Sequence, residues 1–209
     1  MIINTRKTSV MKFSKSRTKD FPLELNLDDQ LLNVKKEMKI LGVILTPDLR
    51  WESNTEFICK KAFKNMWVIR RMKALKLDSF TILEYYMKEI RVHLELAVPV
   101  WHSSLTVKLS ADIERVQRVA VGIILGQTEF NYDRLCTLLG LKPLYIRRQE
   151  LCERFARKTA LPQCRHNDLF EIQQSGYDTR SNSYREHFCR TTRFYKSALP
   201  FLTRTLNQL

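Results

Sequence analysis

Few residues in this chain have the type and spacing to do chemistry. Asp28-Asp29 is the single adjacent carboxylate pair, set between short strand candidates. A pair so placed suits the two metal ions of a phosphoryl-transfer centre. Asn26 and Gln30 flank it, however, where such a hairpin carries apolar strand residues, so the pair reads as a turn. Cys164-x-His166 and His187-x-Cys189 form two short Cys/His spacings. One intervening residue is tighter than the two to four of a zinc knuckle, and both pairs read as unliganded residues of an irregular tail. His93 and His102 lie in or just after an apolar helical stretch and read as packed or capping groups. No Gly-rich phosphate cradle, His-Glu metal motif or nucleophile elbow occurs. What remains is cationic. Lys60, Lys64 and Arg71 recur at helical spacing, a row that suits phosphate contacts and a solvated face equally. Arg193 precedes Phe194 and Tyr195, aromatics that suit either stacking on unpaired bases or burial against helices.

The overall charge supports a polyanionic partner. Lys plus Arg number 36 against 22 acids, a net charge of +14, and the pI is about 9.8. The excess sits at the two ends: residues 1–76 carry 17 basic and 8 acidic side chains, residues 142–209 carry 13 and 6, and residues 77–141 carry 6 and 8. Two basic ends around a slightly acidic middle suggest two contact surfaces for nucleic acid, with an anionic membrane surface or an acidic protein as the other readings. The longest apolar run, about residues 119–125, is far short of the roughly 18 residues that cross a bilayer, so no membrane partner is expected. The N-terminal residues contain no apolar h-region, and the five cysteines are odd in number and irregularly spaced, so reduced thiols inside the cell are expected.

The elements that must position these residues are mainly helical. Short strands are expected at 9–13, 21–27, 31–34 and 39–45, forming a small antiparallel set, with Leu49 and Trp51 anchoring the turn that closes it. Helices follow at about 53–75, capped by Ser53 or Asn54; at 79–98, capped by Asp78 or Ser79 and ended or kinked by Pro99; and at 110–125, stopped by Gly126. Two more cover 132–139 and 143–161, the second opened by Pro143. On the first helix Phe57, Ala62, Met66, Ile69 and Met72 make the core side. Residues 167–184 read as a loop. The fold class is therefore α+β, mainly α with a small N-terminal antiparallel β element.

Taken in order, several segments resemble one family. "NTRKTSVMKFSKS" is similar to the Asn-x-x-Lys-Thr segment after the catalytic aspartate hairpin of non-LTR (LINE-type) retrotransposon reverse transcriptases. "KILGVILTPDLRW" resembles the primer-grip hairpin at the palm–thumb junction of these enzymes. "IERVQRVAVGIILG", "YDRLCTLLGLKPLYIRRQELCERFARK" and "TTRFYKSALPFLTRTLN" resemble their thumb and post-polymerase region. The resemblance implies an incomplete palm end at 1–52, a helical thumb-like bundle at 53–130 and a basic helical extension with an irregular tail at 131–209. It implies that Lys7 protonates the leaving pyrophosphate, that Leu41, Gly42 and Val43 hold the primer end, and that Lys60, Lys64 and Arg71 track the RNA–DNA duplex. Arg147, Arg148 and Arg193 join the nucleic-acid-binding set. The palm strands and catalytic aspartates of such an enzyme would lie upstream of Met1, as would the ligands of its Mg2+. No cofactor is therefore expected in this chain, and the chain alone is expected to bind RNA, DNA or a hybrid without polymerising. A nuclear location and a missing N-terminal polymerase portion as partner follow from the same resemblance. The other functions considered are a non-catalytic, host-retained basic nucleic-acid-binding module and a helical scaffold whose basic ends meet acidic proteins.

Overall fold

The computed structural model describes residues 4, 8–13, 25–27, 30–126, 131–173 and 184–208. Lys7, Asp28-Asp29 and most of the expected strand at 21–27 lie outside them. The chain divides into two compact units, Met1–Phe57 and Ile58–Leu209, and the regions expected at 53–130 and 131–209 share the second unit apart from the first turns of the opening helix.

Among the described residues the first unit holds three pairs of strands. Strand β1 (Ser9–Val10) pairs with β4 (Asn33–Val34), β2 (Asn26–Leu27) with β3 (Gln30–Leu31), and β5 (Met38–Ile40) with β6 (Val43–Leu45). The first pair is parallel, which departs from the expected all-antiparallel set. The run at 39–45 is also two strands instead of one, joined by the two-residue turn Leu41-Gly42. Both turn residues have positive φ, 47° and 90°, the primed-turn geometry whose twist matches that of the flanking strands. Trp51 is buried, whereas Leu49, expected to anchor the same turn, is largely exposed. Asn54 is not a cap. It lies in the first turn of the following helix, and its Oδ1 accepts a hydrogen bond from the Ile44 N–H at 3.0 Å.

That helix, α1 (Glu52–Ala74), runs on into the second unit. Its Ile58, Ala62, Met66 and Ile69 recur every three or four residues and are buried, as periodicity requires of a core face. Helix α2 (Ser79–Tyr85) starts at Asp78, whose carboxylate accepts from the Thr81 N–H at 2.9 Å. It passes into a π-helical turn (Tyr86–Ile90) and then α3 (Arg91–Glu95). The helical run expected to reach residue 98 stops at Glu95, three residues earlier; Leu96 is extended and Ala97 is left-handed with φ 52°. Pro99 stands in the first turn of the next short helix, α4 (Val98–Trp101), where its missing N–H costs no hydrogen bond.

Helix α5 (Val107–Leu125) is capped by Thr106 and ends at Gly126, which takes φ 67°. The carbonyl of Ile124, near that end, accepts from Lys73 Nζ at 2.7 Å, tying α1 to the negative end of α5. Asn131 caps α6 (Tyr132–Leu138), and Pro143 precedes α7 (Leu144–Thr159). Helix α7 packs on α4, α5 and the C-terminal helix α9 (Ala198–Gln208), which the short α8 (Thr192–Tyr195) precedes. Tyr86, Ile90, Leu94, Trp101, Ile113, Ile124, Leu135 and Leu144 fill the core between these helices. The architecture is mainly α with small strand pairs at the N-terminal end. No helix among the described residues is long and apolar enough to cross a membrane.

Candidate nucleic-acid interface

The exposed side of α1 carries a row of positive charge that begins one turn after the exposed Glu56. From residue 57 to 77 there are seven basic residues and no acid. Burying Ile58, Ala62, Met66 and Ile69 turns the opposite arc outward, so Lys60, Lys61, Lys64, Arg70 and Arg71 are exposed for a geometric reason. Among the described residues no carboxylate forms an ion pair with Lys64, Arg70 or Arg71. A basic row on a rigid helix is what a phosphate backbone meets strongly, because each neutralised phosphate releases counterions. Two large aromatic side chains, Phe63 and Trp67, stand in the same row, and Trp67 is 63% exposed.

The β5–β6 hairpin presents a second exposed feature in the first unit. Leu41 is 94% exposed at a positive φ, a conformation that a bulky residue adopts only at a cost. Gly42 beside it takes φ 90° without strain. Val43 is buried and serves to hold the hairpin, so only Leu41 and Gly42 of that trio face solvent at the turn.

The adjacent arginines of α7 are in different positions from those expected of a contact surface. Arg147 donates through Nε and Nη2 to the two carboxylate oxygens of Glu95, which also pairs with Arg91 at 3.2 Å. Arg148 has no solvent exposure at all. Its Nη2 donates to Ser110 Oγ at 2.6 Å and lies 3.5 Å from Glu114 Oε1. Burial lowers its pKa and the Glu114 charge raises it again. Arg148 is thus an interior cation clamping α7 to α5 and is corrected from the expected nucleic-acid-binding set. Arg147 is mostly spent on Glu95. Arg193, by contrast, is exposed on α8 beside Phe194 and Tyr195.

Glu114 is the centre of a buried polar network that sequence reasoning missed. Tyr86 Oη donates to Gln117 Oε1 at 2.7 Å, and Gln117 Nε2 donates to Tyr132 Oη at 2.9 Å and to the Lys142 carbonyl at 3.0 Å. Tyr132 Oη and the Leu144 N–H both donate to Glu114 Oε2, at 2.7 and 3.0 Å. The chain of bonds joins the π-helical turn to α5, α6 and the start of α7. Polar residues in otherwise apolar stripes, Gln117 in α5 above all, were the available signal.

The cysteines and histidines do not form a reactive centre. Burial pushes the Cys59 thiol up to about 11 and the Cys152 thiol up to about 12, so both stay protonated. Burial, with the Arg148 charge second, pushes the His102 imidazole down to about 4. Among the described residues no three His, Cys, Asp or Glu side chains converge as metal ligands, so none is assigned to the Mg2+ that the resemblance implies for a full enzyme. Comparison with known proteins finds no matching family model, no matching curated protein and no matching solved structure.

Proposed function

We propose that this chain is a nucleic-acid-binding module of the kind that forms the palm end and thumb of a LINE-type reverse transcriptase, and that it supplies primer and template binding without the catalytic aspartates. The observation that carries the binding role is the exposed basic row of α1, Lys60, Lys61, Lys64, Arg70 and Arg71, with no acid from residue 57 to 77. The hairpin before that helix, with its exposed Leu41 at a strained turn, is the feature that favours a primer-end contact over a general solubility role. The polymerase portion that would hold Mg2+ is the implied protein partner, and the nucleus is the implied location.

The test is a salt titration of binding by the purified chain to single-stranded RNA, duplex DNA and an RNA–DNA hybrid. Five cations on α1 that neutralise one phosphate each give a log–log slope of about −3.5 on single strands and −4.5 on duplexes. Binding that is absent or indifferent to salt refutes the reading. Primer extension by the chain alone is expected to stay at background, and a signal above it would refute the non-catalytic assignment.

A further inference from the structure

A helix that only tracks a duplex backbone needs cations and small polar groups on its outer face. The outer face of α1 carries more than that. With 3.6 residues per turn, Lys60, Phe63, Lys64, Trp67, Arg70 and Arg71 fall within an arc of about 120° and extend over about 16 Å. Phe63 and Trp67 are one turn apart, with Cβ atoms about 5–6 Å from each other. Their burial would be ordinary, but Phe63 is more than a third exposed and Trp67 nearly two thirds exposed, with cations before, between and after them. The cost of leaving a Trp face in water is unexplained by the fold, because the core side of the helix is already filled by Ile58, Ala62, Met66 and Ile69.

We propose that this face of α1 is a strip for single-stranded nucleic acid, in which Phe63 and Trp67 stack on unpaired bases while Lys60, Lys64 and Arg71 hold the phosphates on either side. The inference rests on the reading that the chain binds nucleic acid, and it names the strand state. Every base has a π-face, so stacking of this kind tolerates any sequence, whereas a fully paired duplex hides those faces. Charge complementarity selects the occupant: four cations on the strip, Lys60, Lys64, Arg70 and Arg71, against one acid, Glu56, at its N-terminal end suit a polyanion. Aromatics interleaved with the cations suit exposed bases better than an acidic peptide, whose carboxylates give the rings nothing to stack on. An anionic lipid surface would be met by a continuous apolar face, and here the apolar members are two residues set among charges.

The three tryptophans make the test direct, since Trp51 and Trp101 are buried and Trp67 alone among them is exposed. The full chain is titrated with a 12-residue oligodeoxythymidine, with a blunt duplex of the same length and with anionic phospholipid vesicles, reading Trp emission and anisotropy. The oligodeoxythymidine is expected to quench the wild type and to bind more tightly than the duplex. W67A is expected to weaken single-strand binding about tenfold and leave the duplex unchanged, with W67F restoring most of the affinity but no quenching. K64Q/R71Q is expected to flatten the single-strand salt slope by about 1.4. Circular dichroism of each variant checks the fold, which an exposed position leaves intact.

Equal binding of duplex and single strand, or a W67A affinity within twofold of the wild type, overturns the stacking proposal. If K64Q/R71Q still flattens the slope in that case, the nucleic-acid-binding reading survives without it. Absence of salt-dependent binding to either nucleic acid overturns both. Vesicle binding that depends on Trp67 and that oligodeoxythymidine does not displace assigns the strip to a lipid surface instead.

Discussion

Glu114 and Arg148 form a buried pair whose two members are not equally replaceable. Arg148 has no exposure, and its Nε and Nη1 have no hydrogen-bond partner. Glu114 is 12% exposed and has two further donors, Tyr132 Oη and the Leu144 N–H, on its other oxygen. Replacing Glu114 with Gln leaves a guanidinium in the core with a neutral neighbour, the case that costs about 3–5 kcal/mol. Replacing Arg148 with Met removes that charge together with two unsatisfied donors, fills similar volume, and leaves Glu114 with two hydrogen bonds and some water. Its expected cost is about 1 kcal/mol, close to the net value of the hydrogen bond to Ser110. The double variant E114Q/R148M is expected to be more stable than E114Q alone, because the orphaned charge has gone. The assay is urea unfolding, with midpoints compared at constant slope. On heating, a loss of 3 kcal/mol lowers Tm by about 6–12 °C for a chain of this size. If R148M costs as much as E114Q, or if the two changes add to within about 0.5 kcal/mol, the pair is not coupled and the reasoning fails. R148M should also leave nucleic-acid affinity unchanged, which separates an interior clamp from a surface contact.

Three further outcomes are expected. His102 has a folded pKa of about 4 against an ordinary 6.5, so its contribution to stability is complete above pH 6.5 and is lost as pH falls towards 4. At about 1.4 kcal/mol per unit, roughly 3 kcal/mol disappears across that window, and H102N should flatten the stability–pH curve there; a curve unchanged by H102N would refute the assignment. Leu41→Gly relieves a positive φ and should raise stability by about 0.5–1 kcal/mol while weakening primer-end binding, so a variant that loses stability, or binds as before, contradicts the role given to the hairpin tip. Gly126→Ala should cost about 1–2 kcal/mol from backbone strain alone, since a Cβ there meets Lys73 Cε and Nζ at ordinary contact distances of 3.7 and 3.9 Å; a neutral substitution, measured by urea unfolding, would mean that the end of α5 readjusts freely.

The helices of the second unit were legible because their determinants are local. Burial on one side imposes a period of 3.6, and Asp78, Gly126 and Pro143 mark ends through their own side chains or backbone preferences. The hairpin at 38–45 was harder to read, since Leu41 is no turn-former and Val, Ile and Leu continue on both sides as one apolar run. The aromatic pair on α1 was not read from the sequence, although Phe63 and Trp67 are out of phase with the core stripe, which is the mark of an apolar residue turned to solvent.

The sequence by itself determined the mainly helical class, the basic character and the position of the cationic row on α1, because each depends on neighbours within a turn or two. Only the tertiary structure decided which cations reach solvent. Lys64 and Arg148 are both cations at helical positions, yet one is exposed and the other is enclosed beside Glu114, a partner 34 residues away in the chain. Burial and pairing arise from elements distant in sequence coming together, and no local spacing records them.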